Sequence, residues 1–253
     1  MSRRPFMAGN WKMYKTIKEG LDFARQFKET VSDVKDRDIL LCVPFTLISP
    51  LCNSLEGTNI MVGAQNMYFE KEGAFTGEIS PVQLIDAGAK FVIIGHSERR
   101  HIFGEKDELI NKKVKAALFY GLTPILCVGE LLEEREAGKT MDVNKKQIVE
   151  GFKGLSEEEA SKVIIAYEPV WAIGTGKTAT PEDADEVHSF IRKVLEELYS
   201  KNLAESIRIL YGGSVKPENV DGLMAKENID GVLVGGASLK VDSFTRIVKF
   251  IQQ

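Results

Sequence analysis

Short apolar runs alternate with helical stretches eight times along the chain, and this alternation limits the possible folds more than any other feature. Most runs are continuously apolar, which is typical of parallel strands that are covered on both faces. The predicted strands span residues 6–11, 39–43, 60–64, 91–95, 124–128, 163–167, 207–211 and 231–234. Eight successive βα units predict a closed (β/α)8 barrel.

Helix start signals lie between these runs. Thr16, Ser80 and Ser156 each stand three residues before a Glu or Gln, which is the spacing of a capping box. Thr180 precedes Pro181 and two acids, a sequence that is typical of a capped helix start. The clearest predicted helices span residues 106–120, 142–152 and 182–199.

A doubly wound open sheet is the alternative architecture. Eight strands would make a large open sheet, and no Gly-x-Gly-x-x-Gly motif opens the first predicted helix. The 253 residues contain no linker and no change of composition along the chain. We therefore expect one domain over residues 1–253.

Composition excludes several classes of partner. The chain has 33 basic and 37 acidic residues, so neither nucleic acid nor an anionic membrane is an expected partner. The three cysteines, Cys42, Cys52 and Cys127, form no Cys-x-x-Cys pair, which argues against a disulfide framework or a zinc site. The first residues do not resemble a signal peptide, and no apolar run approaches the span of a bilayer. A cytoplasmic location is the expectation.

Residues suited to catalysis stand at the carboxyl ends of five predicted strands, which is the face that carries the active site in (β/α)8 barrels. They are Asn10 and Lys12, then His96 and Glu98, then Glu168, then Gly212, Gly213 and Ser214, and finally Gly235 and Gly236. Taken singly, the lysine is typical of a solvated surface, the histidine of a structural side chain and the glycine pairs of tight turns. Together, a cation, an imidazole and a carboxylate indicate one site for proton transfer.

Glu168 also stands immediately before a distinctive segment. Residues 169–179 begin with a stiff stretch, continue with a Gly-rich middle and end in small residues. Such a segment is suited to closing over a ligand and excluding water from it. A carboxylate beside a closing loop favours proton chemistry under a lid.

Five motifs resemble those of the triosephosphate isomerase family. They are NWK at 10–12, GHSERR at 95–100, AYEPVWAIGTG at 166–176, YGGS at 211–214 and GGASL at 235–239. The motifs cover the whole chain in order and at family-like spacing, and GAFTGE at 73–78 is similar to the third loop of the family. The resemblance implies a single-domain (β/α)8, or TIM, barrel.

The resemblance also implies an activity and a set of roles. The reaction would interconvert dihydroxyacetone phosphate and D-glyceraldehyde 3-phosphate through an enediolate, in glycolysis and gluconeogenesis, with no metal or organic cofactor. Glu168 would move the proton, and neutral His96 would donate to the substrate oxygens. Lys12 would stabilise negative charge and Asn10 would hold the oxygen side of the site. Glu98 would lie near Lys12 and His96.

Backbone N–H groups would bind the substrate phosphate. The resemblance assigns this role to Gly174, Ser214, Gly235 and Gly236. A residue without a Cβ lets its backbone approach an anion, and a helix start favours negative charge. The triose phosphate would therefore be held without a cluster of basic side chains.

The segment 65–78 is long for a βα loop and carries three aromatic residues, Tyr68, Phe69 and Phe75. Aromatic residues on an exposed loop often belong to an interface. By resemblance the loop would dock into a second subunit, with Thr76 near the site of that subunit. A homodimer or a higher homo-oligomer is expected.

Two other classes of function stay open at this point. Another phosphate-binding barrel enzyme is the nearest alternative: an epimerase would show paired acids at strand ends, and an aldolase would show a Schiff-base lysine in a middle or late strand. The chain shows neither pattern. A catalytically inactive barrel that serves as a scaffold or sensor would be expected to lack Lys12, His96 or Glu168, and all three are present.

Overall fold

The computed structural model describes residues 3–172 and 179–251. In this part of the chain eight parallel strands close into one barrel, in which each strand pairs with the next and the last returns to the first. The strands are β1 Phe6–Asn10, β2 Asp38–Val43, β3 Ile60–Ala64, β4 Phe91–Ile94, β5 Thr123–Val128, β6 Ile164–Tyr167, β7 Ile209–Tyr211 and β8 Gly231–Val234. The predicted (β/α)8 barrel is confirmed.

Helices connect the strands along the whole described sequence. The α-helices are α1 Ile17–Thr30, α2 Phe45–Ser54, α3 Pro81–Asp86, α4 Ser97–His101, α5 Asp107–Tyr120, α6 Leu132–Glu136, α7 Thr140–Phe152, α8 Glu157–Ala160, α9 Pro181–Leu198, α10 Lys201–Ser206, α11 Val220–Met224 and α12 Val241–Val248. Two short 3-10 helices, Val170–Ala172 and Gly236–Leu239, follow β6 and β8. The capping boxes predicted at Thr16, Ser80 and Ser156 are present.

Element boundaries differ from the predicted ones by one or two residues, and two of these differences have a clear local cause. The predicted strand 207–211 begins only at Ile209, because the N–H of Ile207 donates to the carbonyl of Leu203 and closes α10. The predicted strand 91–95 ends at Ile94, because Gly95 has a φ of 70° and turns the chain out of the sheet.

The core has two layers, because successive residues of a strand point to opposite faces of the sheet. One cluster fills the barrel and includes Phe6, Ala8, Ile164 and Ala166, whereas residues such as Met7 pack outward against the helices. The inward positions continue in steps of two beyond the apolar cluster. From Ala8 and Ala166 the next such positions are Asn10 and Glu168. The register of the strands thus delivers polar side chains to the carboxyl end of the barrel.

Candidate active site

Most of the predicted site residues meet in one cavity at the carboxyl end of the barrel. This cavity has a volume of about 420 Å³. Its lining includes Asn10, Lys12, His96, Glu168, Ser214, Gly235 and Gly236. A neighbouring cavity of about 260 Å³ shares Asn10, Lys12 and His96 and also touches Glu98. Gly174 lies outside the described residues.

Glu168 is held in place by its backbone and by both of its carboxylate oxygens. Its N–H donates to the carbonyl of Val128 at 2.7 Å, and its side chain is almost fully buried. One carboxylate oxygen lies 2.9 Å from Nε2 of His96, and the other accepts the N–H of Ser97 at 2.9 Å. Burial alone would raise the pKa of Glu168, but His96, the Ser97 N–H and Lys12 together hold that pKa below its usual value.

His96 stands immediately before α4, where its ring caps the helix. Its Nδ1 accepts the backbone N–H of Glu98 at 3.2 Å, so the proton of a neutral imidazole lies on Nε2, the atom that faces Glu168. Burial disfavours the charged form of His96. The carboxylates of Glu168 and Glu98 outweigh that effect and raise the pKa of His96.

Lys12 extends from the end of β1 in an unusual backbone conformation. Its φ is 51°, in the left-handed region, and its N–H donates to Oδ1 of Asn10 at 3.0 Å. Its ammonium group lies 2.6 Å from a carboxylate oxygen of Glu98. Such a conformation costs a non-glycine residue about 1–3 kcal/mol, and residues of this kind cluster at functional sites. The side chain of Gln65 donates to the carbonyl of Lys12 at 2.8 Å and supports this turn.

The glycine turns after β7 and β8 complete the wall of the cavity. A Cβ atom on Gly212 would lie 2.8 Å from Cγ of Glu168, and one on Gly213 would lie 2.2 Å from the hydroxyl oxygen of Tyr211. Gly235 adjoins the Lys12 side chain, and a Cβ there would lie 3.6 Å from its Cε atom. The turn at Gly212 and Gly213 therefore excludes side chains and keeps backbone at the cavity surface.

Glu130, which we did not predict from the sequence, is a buried carboxylate beside the site. It is fully buried and accepts hydrogen bonds from the Tyr167 hydroxyl at 3.1 Å, the Trp171 indole at 2.8 Å and the Asn144 amide at 3.2 Å. Burial and the charge of Glu130 raise the pKa of Tyr167. Glu130 follows β5 closely, so the strand-end rule that singled out Glu168 could also have found it.

The remaining sequence expectations concern cysteines and the membrane. Cys42 and Cys127 are buried and free of disulfide bonds, as expected for small apolar side chains. Burial raises the pKa values of both thiols. In residues 3–172 and 179–251, every helix is too short or too polar to cross a bilayer.

Comparison with known proteins identifies the family. The family model described as triosephosphate isomerase matches residues 5–251. The chain is 60% identical over 247 residues to the triosephosphate isomerase of Carboxydothermus hydrogenoformans, with 98% of each chain covered. It is 56% identical to that of Fusobacterium nucleatum over 98% of each chain, and 55% identical to that of Endomicrobium trichonymphae over 98% of this chain and 99% of the relative. The chain therefore belongs to the triosephosphate isomerase family.

Proposed function

We propose that Glu168, His96, Lys12 and Asn10 carry the reaction of this isomerase, the interconversion of dihydroxyacetone phosphate and D-glyceraldehyde 3-phosphate in glycolysis. One observation supports this assignment above all others. A buried carboxylate, an imidazole and an ammonium group, delivered by β6, β4 and β1, line the same cavity of about 420 Å³. Such a set matches the needs of proton transfer next to a carbonyl, where a base, a donor and a fixed positive charge must converge.

Glu168 acts as the base. It takes a proton from the carbon that bears the hydroxyl group. The electron pair of that C–H bond forms the new carbon–carbon double bond, and the π pair of the carbonyl group moves onto the carbonyl oxygen. The product is an enediolate, whose negative charge faces His96 and Lys12. Glu168 then returns the proton to the neighbouring carbon. The hydroxyl proton passes, by way of Nε2 of His96, to the former carbonyl oxygen, so the carbonyl group re-forms on the other carbon. No atom is gained or lost.

Substrate binding changes the charge balance between Glu168 and His96. In the free protein the Glu168 carboxylate accepts a hydrogen bond from Nε2 of His96, and this contact lowers the pKa of Glu168. A substrate carbonyl that takes over Nε2 removes the contact and leaves the carboxylate buried. Burial raises the basicity of Glu168 and favours neutral His96. A glutamate base paired with a neutral histidine is the known pattern of the triosephosphate isomerase family.

Ser214, Gly235 and Gly236 bind the phosphate in this proposal. All three line the same cavity as Glu168, and Gly236 begins a 3-10 helix whose N–H groups favour an anion. Gly174 joins them on the strength of the sequence resemblance alone. The absence of side chains at the glycines lets the backbone approach the phosphate oxygens.

A second copy of the chain is the proposed partner, with the segment 65–78 as the contact. The rings of Tyr68, Phe69 and Phe75 pack together in this segment, with centroids 4.4 and 4.6 Å from Tyr68. The neighbouring cavity of about 260 Å³ is lined in part by Met13 and Phe103, which are exposed large hydrophobic residues. An aromatic loop and an apolar cavity are complementary features of an interface. We also propose a cytoplasmic location, which the glycolytic role favours.

A coupled assay on the purified chain tests the assignment of the base. Conversion of dihydroxyacetone phosphate is followed for the wild type, for Glu168→Gln and for Glu133→Gln, which alters an exposed carboxylate on α6. We expect Glu168→Gln to lose at least about 100-fold in kcat, because an amide accepts no proton, and Glu133→Gln to match the wild type. An inactive wild type that still binds triose phosphate would indicate a sensor instead.

A further inference from the structure

A side chain from the outer helical layer holds the backbone that packs against Glu168. Gly129 follows β5 directly, and its N–H donates to Oε1 of Gln147 at 2.8 Å. Its carbonyl accepts from Nε2 of Gln147 at 3.3 Å. Gln147 lies on α7 and lines neither cavity described above. A single amide therefore satisfies both polar backbone groups of one glycine.

Gly129 is in direct contact with the backbone of Glu168. A Cβ atom on Gly129 would lie 1.7 Å from the carbonyl oxygen of Glu168 and 2.6 Å from its carbonyl carbon, so no side chain fits there. Hydrogen bonds flank this contact on both sides. The N–H of Glu168 donates to Val128 at 2.7 Å, and the N–H of Val170 donates to Glu130 at 3.1 Å. A rotation of either of the two peptide groups that meet at Gly129 would therefore displace Glu168.

The opposite side of Glu168 is closed by Gly212. A Cβ on Gly212 would lie 2.8 Å from Cγ of Glu168, and the N–H of Gly212 donates to the carbonyl of Tyr167 at 2.7 Å. Glu168 is thus packed between two glycine backbones. Because interiors are close-packed, a change in one of these walls is transmitted to the side chain between them.

We propose that Gln147 is a positioning residue for the isomerisation, which it serves by fixing the Gly129 peptide and thereby the direction of the Glu168 carboxylate. This inference rests on the proposed role of Glu168 as the base. Both side-chain hydrogen bonds of Gln147 within the described residues go to Gly129, and Gln147 does not line the cavity that contains Ser214, Gly235 and Gly236. Its loss therefore acts on the proton-transfer step, and a displacement of about 1 Å there can cost roughly 100-fold in rate.

The test is Gln147→Met, which keeps the length of the side chain and removes both hydrogen bonds. We expect kcat to fall about 10- to 100-fold with KM within about twofold of the wild type. We also expect a larger deuterium isotope effect on kcat with substrate deuterated at the reacting carbon, because proton transfer becomes slower than the other steps. A purely structural role for Gln147 would not increase the isotope effect.

Asn111→Leu is the matched control. The Asn111 amide also makes two hydrogen bonds between helical elements, to the carbonyls of Gly151 at 3.0 Å and Lys153 at 3.1 Å, but it does not touch the Gly129 backbone. We expect this variant to lose stability and to keep the wild-type kcat and isotope effect. An equal fall in kcat and an equal rise in isotope effect in Asn111→Leu would overturn the proposal.

A second variant covers the case in which Gln147→Met does not fold. Gln147→Glu keeps an acceptor for the Gly129 N–H and loses only the longer bond, so we expect an intermediate kcat and a raised isotope effect. Wild-type kcat and isotope effect in a folded Gln147 variant would overturn the inference about Gln147 alone. Full activity of Glu168→Gln would instead overturn the proposed base, so the two failures are distinguishable.

Discussion

Glu168 and His96 set each other's charge in the free protein. Each group is buried, and burial alone would favour the neutral form of both. Their contact at 2.9 Å reverses that preference, because it lowers the pKa of Glu168 and raises the pKa of His96. A substrate that separates the two groups makes the Glu168 carboxylate more basic than it is in the free protein. This base can act only if its carboxylate reaches the reacting carbon of the substrate.

Shortening this side chain tests its reach. In Glu168→Asp the carboxylate is retained but retracted by one methylene, which moves it away from the reacting carbon by about 1 Å. We expect kcat to fall by about 100-fold or more, with a circular dichroism spectrum and thermal transition close to those of the wild type. Turnover at the wild-type level in the folded Asp variant would contradict the assigned role.

The environment of His188 predicts how the stability of the fold depends on pH. It is fully buried on α9, its Nδ1 donates to the carbonyl of Asn228 at 3.1 Å, and burial lowers its pKa from 6.5 to about 3. Between those two values the unfolded chain binds a proton that the folded chain does not bind. This contribution to stability is therefore complete above pH 6.5 and is lost as the pH falls towards 3.

The measurement is urea unfolding of the wild type and His188→Phe at several pH values. Between pH 6.5 and pH 5, we expect the wild type to lose about 1.5 kcal/mol of unfolding free energy that the Phe variant does not lose. Equal pH dependence of the two proteins would show that His188 is not kept neutral by the fold.

At the scale of elements, Glu130 links the end of β5 to β6, to α7 and to the short 3-10 helix after β6. Its carboxylate is fully buried and accepts hydrogen bonds from the side chains of Tyr167, Asn144 and Trp171. Removing this shared acceptor breaks three hydrogen bonds at once, whereas removing one donor leaves the carboxylate with its other two. The two sides of the Tyr167–Glu130 bond should therefore differ in their sensitivity to mutation.

A pair of variants measures that asymmetry. Glu130→Leu removes the shared acceptor, and we expect it to cost at least about 2 kcal/mol of unfolding free energy. Tyr167→Phe removes one of the three donors that the described residues provide to Glu130, and we expect it to cost less than about 1 kcal/mol. Denaturant unfolding of both proteins provides the comparison. A larger loss of unfolding free energy in Tyr167→Phe than in Glu130→Leu would contradict the role of Glu130 as the shared acceptor.

The sequence predicts the elements well where one local pattern decides them. The predicted strands at 60–64 and 231–234 have the observed bounds, because apolar runs between turn residues identify buried strands. The strand predicted at 207–211 starts two residues too early, because Ile207 is equally apolar but completes a helix. Gln147 was not predictable, since no local spacing relates a half-buried glutamine on a helix to a glycine beside another strand.

At the scale of the molecule, the apolar residues beside the active site remain exposed in one chain. Met13 is 94% exposed, Ile102 73% and Phe103 65%. Met13 and Phe103 line the cavity of about 260 Å³ that adjoins Lys12 and His96. Exposed apolar patches of this kind mark interaction sites. A second copy that covers them would exclude water from one side of the site.

Sedimentation tests this assembly. We expect the wild type to sediment at twice the chain mass of 28.1 kDa. We expect Phe103→Asp to shift the protein towards the single-chain mass and to lose activity with it, because a charge in an apolar contact is poorly solvated. Phe119→Asp, at an exposed position that does not line this cavity, serves as the control. A fully active wild-type monomer would contradict the proposed interface.

The most direct test of the whole mechanism is isomerisation in D2O with deuterium in the product measured by NMR. A proton that leaves the substrate on Glu168 can exchange with solvent before it returns. We predict that the wild type incorporates deuterium at the carbon next to the carbonyl and that Glu168→Gln shows neither turnover nor incorporation. Undiminished turnover and incorporation in Glu168→Gln would contradict Glu168 as the group that moves the proton.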